Sequence, residues 1–371
     1  MNSKENNQKT ALIFSGGGSR GAYEVGVWRA LEELNIKCDI VTGASIGSIN
    51  GALYVQGTLK EAEELWKNIN LNTVFPDNIT YNSDPELVMN YLKSARRGGL
   101  EPSNLKNNLL NCLDLNKIYS SSIDYGLTTV KYPSMQLVEL TKREIPRTKF
   151  IDYLIASSTV FPVFKIKEIE ENKYIDGGFR KTMPIELAKR MGAQKFIIVD
   201  ISSLNKIHIP IKKENIVYIK PQNNIGIPLV FDSKQARKNL KYGYNDTMKI
   251  YKKYLGKKYT FKDLNLTYQK TPEFPTITKY IDTLEYLGKV FNINDTVIYT
   301  NKKINKILLT KINKSSYNPD LKFKDLLNKT DQILYIYHYL KNPSPRKINN
   351  QIVKTFYKEY KSAYYLFKYL K

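Results

Sequence analysis

The stretch "IVTGASIGSINGA", residues 40–52, is an apolar run that gives way to small residues around a single serine. Gly43, Ser45 and Gly47 form the pattern G-x-S-x-G, which is typical of a sharp turn from a strand into a helix. Such a turn lifts the serine hydroxyl clear of the backbone, and the glycines relieve the crowding on either side. The following helix would also direct its positive dipole end toward Ser45. The pattern therefore predicts a nucleophilic serine, with a close-packed turn and an incidental serine as the alternative.

Strands and helices alternate on both sides of this motif. Apolar runs at 11–15 and 196–201 are typical of buried strands, and helical spacing of apolar residues follows the first of them. This alternation predicts an α/β fold with a largely parallel sheet. Beyond about residue 205 the segments become rich in Lys and Tyr and read as helices. We therefore expect one domain over residues 9–205 and a basic, mainly helical region over 206–371.

A second glycine-rich turn, "SGGGSRG", occupies residues 15–21 between a strand and a helix. Backbone N–H groups exposed in such a turn bind an anion, either an ester oxyanion or a phosphate. Gly16 to Gly21 also match G-x-G-x-x-G, the dinucleotide-binding pattern. That pattern requires an acidic residue at the carboxyl end of the second strand. Asp39 has nearly the right spacing but precedes its strand, and Ser45 follows it, which favours the ester interpretation.

The motif "YIDGGF" supplies a carboxylate, Asp176, followed by Gly177 and Gly178. A serine nucleophile needs a base, and histidine is the usual one. His208 and His338 are the two histidines of the chain, and neither lies in a recognisable motif. A free Asp is a weak base, so Asp176 would need burial or direct contact with the hydroxyl. A β-hairpin turn is the alternative interpretation of the same glycines.

The charge of the chain is strongly asymmetric. Residues 1–200 hold 25 Lys/Arg and 23 Asp/Glu, whereas residues 201–371 hold 33 and 12, out of a net +23 for 371 residues. An excess of this size suggests an anionic partner for the second half, a membrane surface or a nucleic acid. A compositional bias toward Lys, Asn, Ile and Tyr is the alternative. No nucleic-acid-binding motif accompanies the charge, so we do not expect a nucleic acid.

Several classes of protein are disfavoured by composition. The sequence has no apolar run of transmembrane length, and its polar first residues lack the apolar core of a secretory signal. Cys38 and Cys112 imply no disulfide framework, and two histidines make a zinc site an unfavoured expectation. We expect a cytoplasmic protein, peripheral to a membrane at most.

Taken together, these motifs resemble the patatin-like phospholipase family over residues 11–202. The glycine-rich opening resembles the family's G-G-G-x-R-G signature, and residues 40–52 resemble its nucleophile elbow. "IASSTVFPVFK" (155–165) is similar to its serine- and proline-containing segment, and "YIDGGF" to its D-G-G/A motif, which "MPIELAKRMGA" (183–193) follows. The order and spacing agree with the family throughout.

The resemblance implies a three-layer α/β/α domain with a central, mostly parallel sheet, and no cofactor or metal. It implies a dyad of Ser45 as nucleophile and Asp176 as general base. It assigns the oxyanion hole to the loop that contains Gly16, Gly17, Gly18 and Arg20. The region after about residue 205 lies outside the resemblance.

The resulting expectation is a lipid acyl hydrolase of the phospholipase A or lysophospholipase type, which works through an acyl-enzyme. Its partners would be a phospholipid or other acyl-lipid substrate and, through residues 206–371, an anionic membrane surface. Two alternatives stay open: a nucleotide-binding module that uses the 16–21 loop as a phosphate cradle, and an acyltransferase that uses the same site.

Overall fold

The computed structural model describes residues 8–75, 84–202, 212–315, 326, 328–342 and 350–370. The chain divides into two compact units, Met1–Thr247 and Met248–Lys371. The limit of the first unit lies well beyond residue 205. The domain boundary expected at 205–206 falls among residues 203–211, outside the described ranges, and stays a prediction.

The first unit alternates strands with helices, as the sequence predicts. Its strands are β1 Thr10–Phe14, β2 Ile40–Ala44, β3 Asp124–Tyr132, β4 Gln136–Thr141, β5 Lys167–Ile169, β6 Asn172–Asp176, β7 Lys195–Val199 and β8 Ile216–Ile219. Its helices are α1 Ala22–Glu33, α2 Ile46–Gln56, α3 Leu59–Lys67, α4 Leu71–Val74, α5 Asp84–Ala95, α6 Ser103–Cys112, α7 Leu115–Ser120, α8 Phe150–Ser157, α9 Ile185–Arg190 and α10 Ser233–Ile250, whose last residues cross into the second unit.

These eight strands form one mixed sheet in the order β5-β6-β3-β2-β1-β7-β8, with β4 paired to β3. Neighbouring strands along the path β3-β2-β1-β7-β8 pair in parallel. The pairs β3/β4, β3/β6 and β5/β6 are antiparallel. The parallel register sets Phe14 beside Gly43. The loops that follow β1 and β2 therefore leave the same edge of the sheet, where ligands of open α/β sheets bind.

Helices cover both faces of this sheet. On one face, Ile13 and Ile40 pack with Ile185 and Ala188 of α9. On the other face, α2 packs so closely that a Cβ on Gly51 would lie 3.1 Å from Val41 Cγ1. Consecutive strand residues point to opposite faces of a sheet, so Ile40 faces α9 and Val41 faces α2. The predicted α/β fold with a mostly parallel sheet is confirmed.

The second unit is mainly helical, as predicted. Its elements are β9 Thr260–Phe261, α11 Leu264–Thr267, α12 Ile277–Val290, β10 Ile298–Tyr299, α13 Asn301–Asn313, α14 Lys329–Lys341, α15 Asn350–Thr355 and α16 Tyr357–Tyr369. Tyrosines contribute much of its core, where Tyr280, Tyr299 and Tyr365 are almost fully buried. Their hydroxyls are partnered: that of Tyr365, for example, donates to Asn305 Oδ1 at 2.6 Å. Tyrosine side chains therefore contribute to the core of this unit as well as to its surface.

Candidate active site

Ser45 occupies a strained turn between β2 and α2, with φ 53° and ψ −131°. Non-glycine residues rarely adopt positive φ, and such strain is concentrated at functional sites. Glycine is needed on both sides of Ser45 because a Cβ atom at either position would collide with the neighbouring backbone. A Cβ on Gly43 would lie 2.2 Å from the carbonyl oxygen of Gly47, and one on Gly47 would lie 2.5 Å from that of Phe14. The G-x-S-x-G pattern is therefore the steric condition for this turn.

The turn is held in place by two other serines. The Ser45 amide donates to Ser157 Oγ at 3.0 Å, and Ser157 Oγ donates in turn to the Thr128 carbonyl at 2.7 Å. Ser48 Oγ donates to the Ser45 carbonyl at 2.6 Å. Ser157 ends α8, more than a hundred residues from Ser45, and it was not among the predicted site residues. Its membership of the "IASS" segment was the only signal that could have identified it.

The glycine-rich loop lies directly against Ser45. A Cβ on Gly16 would be 3.3 Å from Ser45 Cβ. The Gly16 amide donates to the Thr182 carbonyl at 2.9 Å, so it is not free for a ligand. The amides of Gly17 and Gly18 donate no hydrogen bond within the described ranges. Of the three predicted loop donors, Gly17 and Gly18 are those left available.

Arg20 holds this loop in place through hydrogen bonds to two distant carbonyl groups. Its Nε donates to the Gly226 carbonyl at 2.8 Å, and Nη1 donates to the Ile201 carbonyl at 3.2 Å. Desolvation by partial burial lowers the pKa of its guanidinium. Arg20 thus ties the loop to the chain that follows β7 and to residue 226, far along the sequence. This arrangement suits a supporting role.

Asp176 ends β6 and is only 4% exposed. Its amide donates to the Thr159 carbonyl at 2.8 Å, and its Oδ1 accepts from the Gly178 amide at 2.6 Å. A Cβ on Gly177 would lie 2.3 Å from the Thr128 carbonyl oxygen, so this position also needs glycine. The two glycines follow the strand in a short 3₁₀ turn, Gly177–Phe179. They are therefore not the β-hairpin turn of the alternative interpretation.

Burial raises the pKa of Asp176 to about 6. The nearby Ser45 hydroxyl and the Gly178 amide hold back part of this rise, because both favour the charged form. Oδ2 of Asp176 is buried and has no well-formed hydrogen bond within the described part of the chain. A carboxylate of this kind is a stronger base than an exposed Asp, and one of its oxygens is available to accept a proton.

Ser45 and Asp176 line one open pocket of about 290 Å³, together with the glycine-rich loop. Apolar side chains form much of the remaining wall: Val160, Phe179, Pro228 and Leu229. His208 lies outside the described residues, and His338 belongs to α14 of the second unit. The pocket combines a hydroxyl, a buried carboxylate, free amides and an apolar wall.

The features required of a dinucleotide site are not found together. Asp39 precedes β2, as the sequence predicted, and its Oδ2 accepts from the Thr10 amide at 2.8 Å. It therefore lies at the amino end of the strand, opposite the glycine-rich loop. Within the described ranges, no group of three or more His, Cys, Asp or Glu side chains could hold a metal ion. The helices in those ranges are also too short or too polar to cross a membrane.

The fold and the pocket define an α/β protein with a candidate serine site at the carboxyl edge of its sheet. The patatin-like phospholipase family matches residues 12–189, which contain Ser45 and Asp176. These residues belong to that family.

The known proteins and solved structures to which this chain is similar match it at low identity. Patatin-like phospholipase domain-containing protein 6 of Mus musculus is 27% identical over 202 residues, 52% of this chain and 13% of that protein. Lysophospholipase nte1 of Aspergillus terreus is 25% identical over 210 residues, 53% of this chain and 12% of that protein. The match thus spans about an eighth of these relatives. VipD from Legionella pneumophila aligns over 97% of this chain and 86% of its own, with 15% identity and a TM-score of 0.44.

Proposed function

We propose that this chain is a lipid acyl hydrolase of the phospholipase A or lysophospholipase type. The observation that carries the proposal is the shared pocket of Ser45 and Asp176, beside the amides of Gly17 and Gly18, which have no partner among the described residues. The family of residues 12–189 supports a lipid ester as the substrate. The apolar wall of the pocket suits a fatty-acyl chain, because its burial there removes apolar surface from water.

In the first half of the reaction, Ser45 Oγ attacks the ester carbonyl carbon and its proton passes to Asp176 Oδ2. The carbonyl oxygen becomes an oxyanion, which the amides of Gly17 and Gly18 stabilise by a few kcal/mol each. When the tetrahedral intermediate collapses, the carbon–oxygen bond to the alcohol breaks. The departing alcohol takes the proton from Asp176 and leaves an acyl-enzyme on Ser45.

In the second half, water attacks the acyl carbonyl while Asp176 accepts one of its protons. The same two amides stabilise the second oxyanion. Its collapse breaks the bond to Ser45 Oγ, which recovers its proton from Asp176, and the fatty acid leaves. One carboxylate thus acts as base and then as acid in each half, as microscopic reversibility requires.

The second unit would supply attraction to an anionic membrane surface. Residues 248–371 hold 25 Lys/Arg and only 9 Asp/Glu. Each basic residue near an anionic lipid surface contributes about 1 kcal/mol, so a few correctly placed lysines suffice.

Mass-spectrometric analysis of products released from mixed phospholipids tests the proposed function. The intact chain should release fatty acid, whereas Ser45→Ala and Asp176→Asn should each lose at least about a thousandfold in rate. Ser120→Ala and Asp282→Asn, at exposed positions of α7 and α12, are matched controls and should keep full activity. Unchanged release in either site variant would contradict the proposed dyad.

A further inference from the structure

Two large apolar side chains are exposed in, or next to, the segments that line the candidate pocket. Phe179 lines the pocket and is 46% exposed. Ile227 immediately precedes Pro228 and Leu229 of the pocket wall and is 48% exposed. Single exposed apolar residues are ordinary, but one that lines an apolar cavity and one that adjoins its lining in the sequence require an explanation.

The exposure of Ile227 is imposed by a rigid backbone. Ser19 Oγ donates to the Ile227 carbonyl at 2.8 Å, and the Ser19 amide donates to the Pro228 carbonyl at 2.6 Å. On either side, Arg20 holds the Gly226 carbonyl, and the Tyr91 hydroxyl donates to the Leu229 carbonyl at 2.7 Å. Residues 226–229 therefore cannot fold the Ile227 side chain inward without breaking several hydrogen bonds.

Phe179 is fixed in a comparable way by the turn that positions Asp176. The amides of Arg180 and Lys181 both donate to the Gly177 carbonyl, at 3.1 and 2.9 Å. Arg180 is exposed, and neither basic side chain forms an ion pair within the described ranges. The two segments thus present two apolar side chains, with two cations beside one of them.

We propose that Phe179 and Ile227, with Arg180 and Lys181, form the surface by which the first unit enters a phospholipid layer. We name these four residues the entry rim. The apolar pair would sit among the acyl chains and the cations would meet lipid phosphates, the division found in interfacial protein segments. A lipid would then pass from the layer to Ser45 along an apolar wall. This use of the rim rests on the proposed function.

The apolar pair of the rim, Phe179 and Ile227, differs in its physical basis from the charge of the second unit, residues 248–371. Attraction by the lysines of the second unit weakens as salt screens it, whereas burial of apolar side chains does not. Residues 226–229 also lie beyond the family match at residues 12–189. Ile227 therefore lies outside the family match, whereas Phe179, Arg180 and Lys181 lie within it.

Vesicle sedimentation with a Ser45→Ala background tests the rim without hydrolysis. Phosphatidylcholine vesicles with a minority of phosphatidylglycerol are used at high salt. Phe179→Ser and Ile227→Ser should each weaken binding about fivefold and the double variant about 20-fold, since each removes a half-exposed apolar side chain. Leu110→Ser, on α6 and 56% exposed, is the matched control and should bind like the parent. The proposal is overturned if the rim variants match this control, or if the parent does not bind at high salt.

A second measurement uses chains with Ser45 intact. The ratio of phospholipid hydrolysis in vesicles to hydrolysis of a dissolved short-chain ester should fall about fivefold in Ile227→Ser. An unchanged ratio would overturn the rim. Failure of the proposed function is distinguishable, because the parent would then hydrolyse neither substrate while the binding series would still report on the rim.

Discussion

At the scale of single residues, the chemistry depends on the ionisation of Asp176. The carboxyl must be unprotonated to accept the proton of Ser45, and burial raises its pKa to about 6. We therefore expect the rate of ester hydrolysis to rise with pH around a midpoint of about 6. A pH series with a dissolved ester, at saturating and low substrate, measures this midpoint. A rate that is already maximal at about pH 4 would contradict the role of a buried base.

The ionised carboxylate of Asp176 should lower the free energy of unfolding. Its folded pKa of about 6 exceeds the unfolded value near 3.8, so the folded chain holds the proton more tightly. Stability therefore falls as pH rises from about 4 to about 6, and a penalty of about 3 kcal/mol is present above that range. Asp176→Asn should raise the free energy of unfolding at about pH 8 and change it little at about pH 4.

Urea unfolding of the parent and Asp176→Asn at both pH values measures this difference. The asparagine oxygen can still accept from the Gly178 amide, so the comparison isolates the charge. A variant less stable than the parent at the higher pH would show that the carboxylate is better solvated than its burial implies.

At the scale of elements, helix α8 positions the nucleophile through its last residue. Ser157→Ala would leave the buried amide of Ser45 without its partner, at a cost of about 1–3 kcal/mol in stability. We also expect a lower rate of ester hydrolysis, because the strained turn loses a support. The next residue gives a matched control: Ser158 Oγ is buried and has no hydrogen-bond partner within the described ranges.

Thermal or urea unfolding and the rate of ester hydrolysis, measured for Ser157→Ala and Ser158→Ala, test the role of Ser157. Ser158→Ala should cost little stability and little activity, since no hydrogen bond is lost. Equal effects of the two substitutions would mean that Ser157 is no more than a packed side chain.

The motifs that were predictable from the sequence are those with local causes. The contacts of Gly43 and Gly47 lie within one turn and the strand beside it, so their spacing reveals the elbow. Ser157 and the segment 226–229 reach the site through contacts across more than a hundred residues. The "IASS" segment is the only local signal for Ser157, and residues 226–229 have none. Gly16 was expected to donate to the oxyanion, but a distant carbonyl, that of Thr182, occupies its amide.

Helical periodicity near the end of the chain identifies the buried face only in part. The apolar pattern of residues 351–371 places Ile352, Phe356, Tyr360, Tyr364 and Phe367 on one helical face. Phe356, Tyr360 and Tyr364 are partly buried and pack against the core of the second unit. The chain instead breaks between α15 and α16 at Phe356, and α16 buries Ala363, Tyr365 and Leu366. Phe367 is 39% exposed. In a tyrosine-rich helix the apolar pattern is nearly continuous, so tertiary packing selects the buried face.

At the scale of the whole molecule, the charge asymmetry predicts how salt affects membrane binding. Adding phosphatidylglycerol to phosphatidylcholine vesicles should tighten binding of the full chain, and salt should remove that added affinity. Sedimentation across a salt series measures it, with pure phosphatidylcholine as the control. Added affinity that is absent, or unaffected by salt, would mean that the lysines of residues 206–371 only keep the chain in solution.

The most direct test of the proposed chemistry is covalent labelling of the nucleophile by an alkyl fluorophosphonate, an analogue of the acyl transition state. Intact-protein and peptide mass spectrometry should find one adduct, on Ser45, with loss of fluoride. Ser45→Ala should remain unlabelled, and Asp176→Asn should label at least about a hundredfold more slowly because its hydroxyl lacks a base. An adduct at another residue, or equal labelling of Ser45→Ala, would contradict the assignment of Ser45 as the nucleophile.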